Sequence, residues 1–173
     1  MAAYDLAVSI DGMPDPYAFN TKRYESLWVR YMEQELGLDE HTLVVAHGTA
    51  ADAVLRYLET HKLAGVVLVA CGGDTYHAGE RHGRPYVWEV IKRSCEFLAV
   101  VHGEEDPLVG PEEARRVKEG LGVQDVLFRV ANGGQDRFKT REKGLREVWG
   151  MLDKWIFLSV LGDSVFESSS AVS

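Results

Sequence analysis

Two short segments carry the residue types that hydrolytic chemistry uses, namely a histidine, a hydroxyl and a carboxylate. Residues 46–50 (AHGTA) directly follow an apolar run and contain His47 and Thr49. Asp106 follows a second apolar run, which ends in His102. A hydroxyl becomes a nucleophile only when a base takes its proton, and the cation so formed needs an oriented acid. These two segments are therefore the first candidates for a site.

Each of these side chains also has a simpler interpretation. Thr49 stands at the start of a predicted helix, where capping of the first turn is favoured over nucleophilic attack. His47 and His102 could reach a cleft at the carboxyl ends of the strands, although structural or surface roles are favoured. For Asp106, a loop acid that binds backbone amides and a remnant catalytic acid are equally supported.

The elements that must position these residues alternate between strand and helix. Four β-branched runs are continuously apolar, which is typical of strands buried on both faces of a parallel sheet. They lie at residues 42–46, 65–70, 97–102 and 125–130, with a weaker candidate at 4–10. Helices are predicted at residues 23–35, 50–61, 87–93, 112–121 and 140–161. This alternation predicts an α/β fold, a three-layer sandwich with a mostly parallel, Rossmann-like sheet.

Length and charge exclude several classes of protein. The chain of 173 residues predicts one domain over residues 1–162, followed by a serine-rich disordered tail at 163–173. A net charge of -8 argues against nucleic acid and anionic membrane surfaces as partners. No apolar stretch approaches the roughly 20 residues that span a bilayer, and the start does not resemble a signal peptide. A cytoplasmic protein is expected.

Cysteine and histidine usage indicates neither a metal nor a cofactor. The two cysteines, Cys71 and Cys95, form no CxxC motif and are predicted to be reduced core thiols. The six histidines are scattered, without a pair at metal-ligand spacing. We therefore predict no bound metal and no cofactor.

Several segments together resemble the small serine hydrolases of the retinoblastoma-binding and YdeN-like family. The order and spacing of these segments match the family over most of the chain, which implies an α/β-hydrolase-like fold. They are residues 13–16 (MPDP), 55–61 (LRYLETH), 67–70 (VLVA), 84–89 (RPYVWE) and 103–107 (GEEDP).

The resemblance implies where a catalytic triad would stand. The family carries its serine in a G-x-S-x-G turn, the nucleophile elbow, with an aspartate before a proline and a histidine after the last strand. Matched residue by residue, the acid falls on Asp106, the serine position on Gly48, and the histidine position on Gly134 within residues 132–135. The nucleophile and base positions thus lack a functional side chain.

Glycine at the centre of the elbow has a physical rationale. The elbow forces its central residue into a strained backbone conformation that glycine adopts without a Cβ penalty. Ala46 and Ala50 replace the flanking glycines but remain small. We therefore expect a preserved turn at Gly48, with altered local geometry as the less favoured alternative.

The resemblance also implies that the chain lacks the family's first strand and the loop that helps build the oxyanion hole. Two alternatives follow from this. Either the fold is truncated at its amino terminus, or the gene is incompletely predicted and its true start lies upstream. Part of one sheet face would be exposed, which favours a homo-oligomer, a ligand groove or instability. Where the retinoblastoma-binding motif L-x-C-x-E would stand, residues 36–40 read LGLDE, so that partner is not carried over.

Two functions remain at this point. The first is an inactive member of the serine hydrolase family that binds a small molecule or a protein in its remnant cleft, beside His47 and Thr49. The second is an active carboxylic-ester hydrolase with an unrecognised nucleophile. Loss of triad members leaves only residual catalysis, so the sequence favours the pseudo-hydrolase.

Overall fold

A parallel β-sheet flanked by helices organises the chain. The computed structural model describes residues 12–15, 24–72, 75–77, 80–81, 84–103, 106, 109–122, 127–131 and 150. In chain order the elements are α1 (Tyr24–Gln34), β1 (Leu43–His47), α2 (Thr49–Tyr57), β2 (Leu63–Val69), β3 (Thr75–His77), β4 (Glu80–Arg81), α3 (Trp88–Ile91), β5 (Cys95–Gly103), α4 (Pro111–Leu121) and β6 (Leu127–Ala131).

The main sheet has four parallel strands in the order β1-β2-β5-β6. Its register pairs His47 with Val69 and Val69 with Val101, so the carboxyl ends of these strands meet at one edge. The four strongest apolar runs are these four strands, shifted by at most two residues. The predicted α/β fold with a parallel sheet is confirmed.

The described helices pack on one face of this sheet. Because the strands follow one another in a single direction across it, right-handed crossovers bring every connecting helix to the same side. One apolar core joins α1, α2, α3 and α4 to the sheet through buried residues that include Trp28, Leu55, Leu68, Val100 and Val117.

The opposite face of the sheet carries a second apolar cluster. It is formed by the buried residues Val67, Val69, Ala70, Phe97, Ala99 and Val101. On β1, in contrast, Val45 is 51% exposed. The exposure predicted for this face is therefore confined, among the described residues, to the edge strand. The helix predicted at 140–161 and the strand predicted at 4–10 lie outside the described residues.

Two local predictions differ from the structure. The helix predicted over residues 50–61 ends earlier, at Tyr57, because residues 58–60 form a turn in which the N–H of Thr60 donates to the carbonyl of Tyr57 at 3.1 Å. The antiparallel pair β3 and β4 was not predicted, since strands of three and two residues are too short to show an apolar period. No helix in the described part of the chain is long and apolar enough to cross a membrane.

Candidate functional site

The turn at Gly48 has the strained geometry of a nucleophile elbow. Gly48 lies between β1 and α2 with φ 60° and ψ -128°, a region almost restricted to glycine. Its N–H donates to the carbonyl of Val69 at 2.9 Å, and its own carbonyl accepts the N–H of Ala51 at 3.0 Å. These bonds tie the turn to β2 and to the first turn of α2. The structure therefore has the preserved turn that the sequence predicted for residues 46–50.

The space beside Gly48 is open. A Cβ built on Gly48 would meet no atom within 4 Å, so the glycine leaves room where a side chain would project. His47, the preceding residue, is exposed at the end of β1. The turn therefore presents backbone, rather than a hydroxyl, to this space.

The predicted capping role of Thr49 is wrong. Gly48 is the N-cap of α2, Thr49 is its first helical residue, and no side chain caps the helix. The positive φ needed to turn out of β1 falls on Gly48, which moves the cap one residue earlier than expected. Thr49 is partly buried beside the elbow and remains a candidate binding residue only.

Asp106 binds a backbone amide in its own loop. Its Oδ1 accepts the N–H of Val109 at 3.0 Å, and its backbone N–H donates to Gly103 at 3.4 Å. The buried His102 contacts the carbonyl of Val109. Its Nε2 lies 2.9 Å from that oxygen and must donate to it, because a carbonyl only accepts. Asp106 thus acts at least as a loop acid, the simpler of its two interpretations.

Replacing Asp106 with alanine is expected to lower the free energy of unfolding by about 1.5 kcal/mol, because the N–H of the partly buried Val109 loses a charged acceptor. Asp106→Asn retains an amide oxygen at that place and is expected to cost less than half as much. Urea denaturation of both variants measures the difference. Equal losses would show that the carboxylate charge, rather than the bond to Val109, stabilises the loop.

Gly48 and Asp106 belong to the same edge of the sheet. Gly48 follows β1 and Asp106 follows β5, and β2 lies between these two strands, which are therefore about 10 Å apart across the sheet. This is the edge at which ligands bind in open α/β sheets. The predicted histidine position, Gly134, lies outside the described residues.

A groove runs from the elbow along the outer side of β1. Its volume is about 860 Å³, within the range of ligand sites. One end includes His47 and Thr49, the two predicted binding residues. The remaining lining is largely apolar: Met13, Trp28, Met32, Leu36, Leu38, residues 43–46, Ala50 and Val54, with Gly12, Glu35 and Thr42. The sequence did not reveal this groove, because its walls come from segments far apart in the chain.

A buried ion network joins two of the segments that carry the family resemblance. Arg56, on α2, pairs with Glu59 at 3.1 Å, donates to the carbonyls of Arg84 and Pro85, and stacks on the ring of Tyr86 with 3.9 Å to its centroid. Glu59 also accepts from Arg84 at 2.5 Å. The network fixes residues 84–86 against α2, and no sequence motif indicated it.

Both cysteines are free thiols at structural positions. Cys71 is buried and donates to Asp52 Oδ1 at 3.3 Å. Burial raises the pKa of the partly buried Cys95 to about 11, which keeps that thiol protonated near neutral pH. Among the described residues, no group of three or more His, Cys, Asp or Glu side chains could hold a metal ion.

Comparison with known structures defines the class of fold. The product of the Bacillus subtilis ydeN gene superposes with a TM-score of 0.62 at 21% identity, covering 80% of this chain and 77% of that one. A monoacylglycerol lipase from Paleococcus ferrophilus superposes with a TM-score of 0.52 at 16% identity, covering 76% and 74%. The fold is that of the α/β-hydrolases.

Sequence similarity narrows the class to a family. Serine hydrolase RBBP9 of Rattus norvegicus is 32% identical over 145 residues, which cover 81% of this chain and 75% of that protein. The chain belongs to the RBBP9 family of serine hydrolases, as the resemblance implied. No family model matches it.

Residues 36–40 have a structural role in this chain. Gly37, with φ 60°, turns the chain after α1, and Leu36 and Leu38 pack against the main core. The hydroxyl of Tyr57 donates to the carbonyl of Leu38 at 2.7 Å. This segment is used to connect α1 to β1, in agreement with the helix-ending turn that the sequence predicted.

Proposed function

We propose that this chain is a non-catalytic member of its family that binds a small molecule or a protein in the groove beside the elbow. The observation that carries the proposal is Gly48, which holds the elbow conformation without any side chain. A family fold with its strained turn intact and its hydroxyl absent can still bind, but it cannot form a covalent intermediate at that position.

Three of the described hydroxyls are poorly placed to replace the missing serine, namely those of Ser94, Thr49 and Ser26. Ser94 precedes β5 at the amino edge of the sheet and donates to the carbonyl of Val90 at 2.9 Å. Thr49 is the first residue of α2, one position beyond the residue that the turn presents. Ser26 lies on α1, outside the carboxyl edge where Gly48 and Asp106 stand. These placements support loss of the nucleophile rather than its relocation.

The groove supports the proposal that this protein binds a ligand. At about 860 Å³ it is large enough for a small molecule or several residues of a peptide. His47 and Thr49 offer polar contacts at one end, and the apolar wall offers burial. Ligand sites typically combine apolar side chains with polar groups that orient the ligand, as this lining does.

Labelling with a fluorophosphonate probe tests the absence of catalysis. We expect the purified protein to show no more labelling than its heat-denatured form, and no hydrolysis of p-nitrophenyl acetate above the buffer rate. An active serine hydrolase serves as the positive control, and Thr49→Val as the matched variant. Stoichiometric labelling of Thr49 or of any serine would contradict the proposal and favour the active esterase.

A further inference from the structure

The outer edge of β1 presents backbone groups that β2 does not use. The carbonyl of Thr42 accepts from Ala64 at 3.1 Å, and the N–H of Gly48 donates to Val69 at 2.9 Å. Backbone groups alternate in direction along a strand, so the even-numbered residues face β2, while Leu43 and Val45 direct their N–H and C=O groups away from it. Within the described ranges, no strand pairs with β1 on that side.

The residues of this edge lack the charges, prolines and bulges by which many edge strands are protected. Residues 43–47 (LVVAH) contain no proline, lysine or acidic residue, and their pairing with β2 runs without a bulge. Val45 is half exposed, and the groove described above lies alongside. Its lining includes the partly exposed Leu36 and Leu43, so an added strand would bury apolar side chains as well as satisfy backbone groups.

The end of the groove near the start of β1 is acidic. Glu35 lines the groove, and exposed carboxylates neighbour it along the chain at Glu33, Asp39 and Glu40. Glu33 lies 3.7 Å from Nε2 of His61, and His41 is the sole basic residue between positions 33 and 42. The last turn of α1 carries no basic residue, although the carboxyl terminus of a helix favours cations. Hydrogen bonds from the Thr42 hydroxyl and the His41 amide lower the pKa of Asp39, so the Asp39 carboxylate stays charged at neutral pH.

We propose that this groove binds an extended basic and apolar segment of a partner protein, which adds to β1 as a fifth strand. The inference rests on the proposed non-catalytic binding function and names its partner class. A hydrocarbon ligand would leave the outward groups of Leu43 and Val45 without partners, whereas a peptide backbone matches them. Lysine or arginine at one end of the segment meets the acidic rim.

The test uses a fluorescein-labelled octapeptide of alternating valine and threonine with two lysines at one end. Fluorescence anisotropy should show saturable binding, weaker at least tenfold when alternate backbone nitrogens are methylated. Val45→Pro removes one outward N–H and is expected to weaken binding about tenfold, because roughly 1.4 kcal/mol corresponds to a factor of ten. Leu27→Ala, an exposed apolar residue outside the groove lining, is the matched control and should bind normally.

Charge preference is tested with a second peptide in which glutamates replace the lysines. The lysine peptide should bind more tightly, and Glu35→Lys should reduce that preference about fivefold, as expected for exposed charge pairs. Equal binding of both peptides to the unchanged protein would overturn the basic character of the partner. Circular dichroism of each variant establishes that it is folded.

Amide hydrogen exchange distinguishes the other occupants. In the free protein the Val45 amide should exchange quickly and the Val44 amide, which faces β2, slowly, and the peptide should protect Val45. Protection of Val45 in the free monomer would assign the edge to another segment of this chain. A dimer that Val45→Pro dissociates would assign it to a second copy. Each of these two results would overturn the inference, and so would the absence of peptide binding. The outcome of fluorophosphonate labelling does not depend on any of them, so failure of this inference can be told apart from failure of the proposed function.

Discussion

Replacing Arg56 with alanine is expected to lower the free energy of unfolding by about 3–5 kcal/mol. The guanidinium is fully buried, and it pairs with Glu59, whose side chain is itself 3% exposed. Its removal leaves a buried carboxylate with less positive charge nearby and leaves the carbonyls of Arg84 and Pro85 without that donor. The stacking on Tyr86 is lost as well. Urea denaturation followed by tryptophan fluorescence measures the loss.

Arg84→Ala is the matched control for this prediction. Arg84 contacts Glu59 and Glu25, but half of its side chain is exposed, and solvent screens such pairs. Its loss is expected to cost at most about 1 kcal/mol. If Arg56→Ala and Arg84→Ala destabilised the protein equally, the buried network would not be what fixes residues 84–86 against α2.

Gly48→Ala is expected to destabilise the protein by about 1–3 kcal/mol, with Gly48→Val at the upper end of that range. The cost comes from the backbone alone, since φ is 60° and a Cβ would meet no atom within 4 Å. A β-branched side chain tolerates this region least. Thermal unfolding of the variants measures the effect.

Gly12→Ala provides the comparison for the elbow variants. Gly12 also has open space around a built Cβ, but its φ lies outside the positive range, so its replacement is expected to change stability by at most about 0.5 kcal/mol. A Gly48→Ala variant as stable as Gly12→Ala would show that the turn relaxes on substitution. The glycine at the elbow would then be a neutral replacement rather than a requirement of the preserved conformation.

The elbow illustrates which features of the candidate site could be predicted from residue types. Glycine between an apolar run and a predicted helix, together with the family resemblance, was sufficient to predict a preserved turn at Gly48. The sequence misplaced the helix cap onto Thr49, because the cap depends on which residue takes the positive φ. For Asp106, the sequence left two interpretations open, and the bond to Val109 supports the one that involves its loop.

The sequence by itself determined the alternation of strands and helices, the parallel character of the sheet and the absence of a side-chain hydroxyl at position 48. These features depend on local periodicity and on the type of a single residue, which can be read along the chain. Only the tertiary structure decided three other features. These are the groove beside β1, the network around Arg56, and the hydrogen bonds that Asp106 and His102 make to the backbone of Val109. Each unites residues from different elements or fixes the direction of individual backbone groups, which no local pattern records.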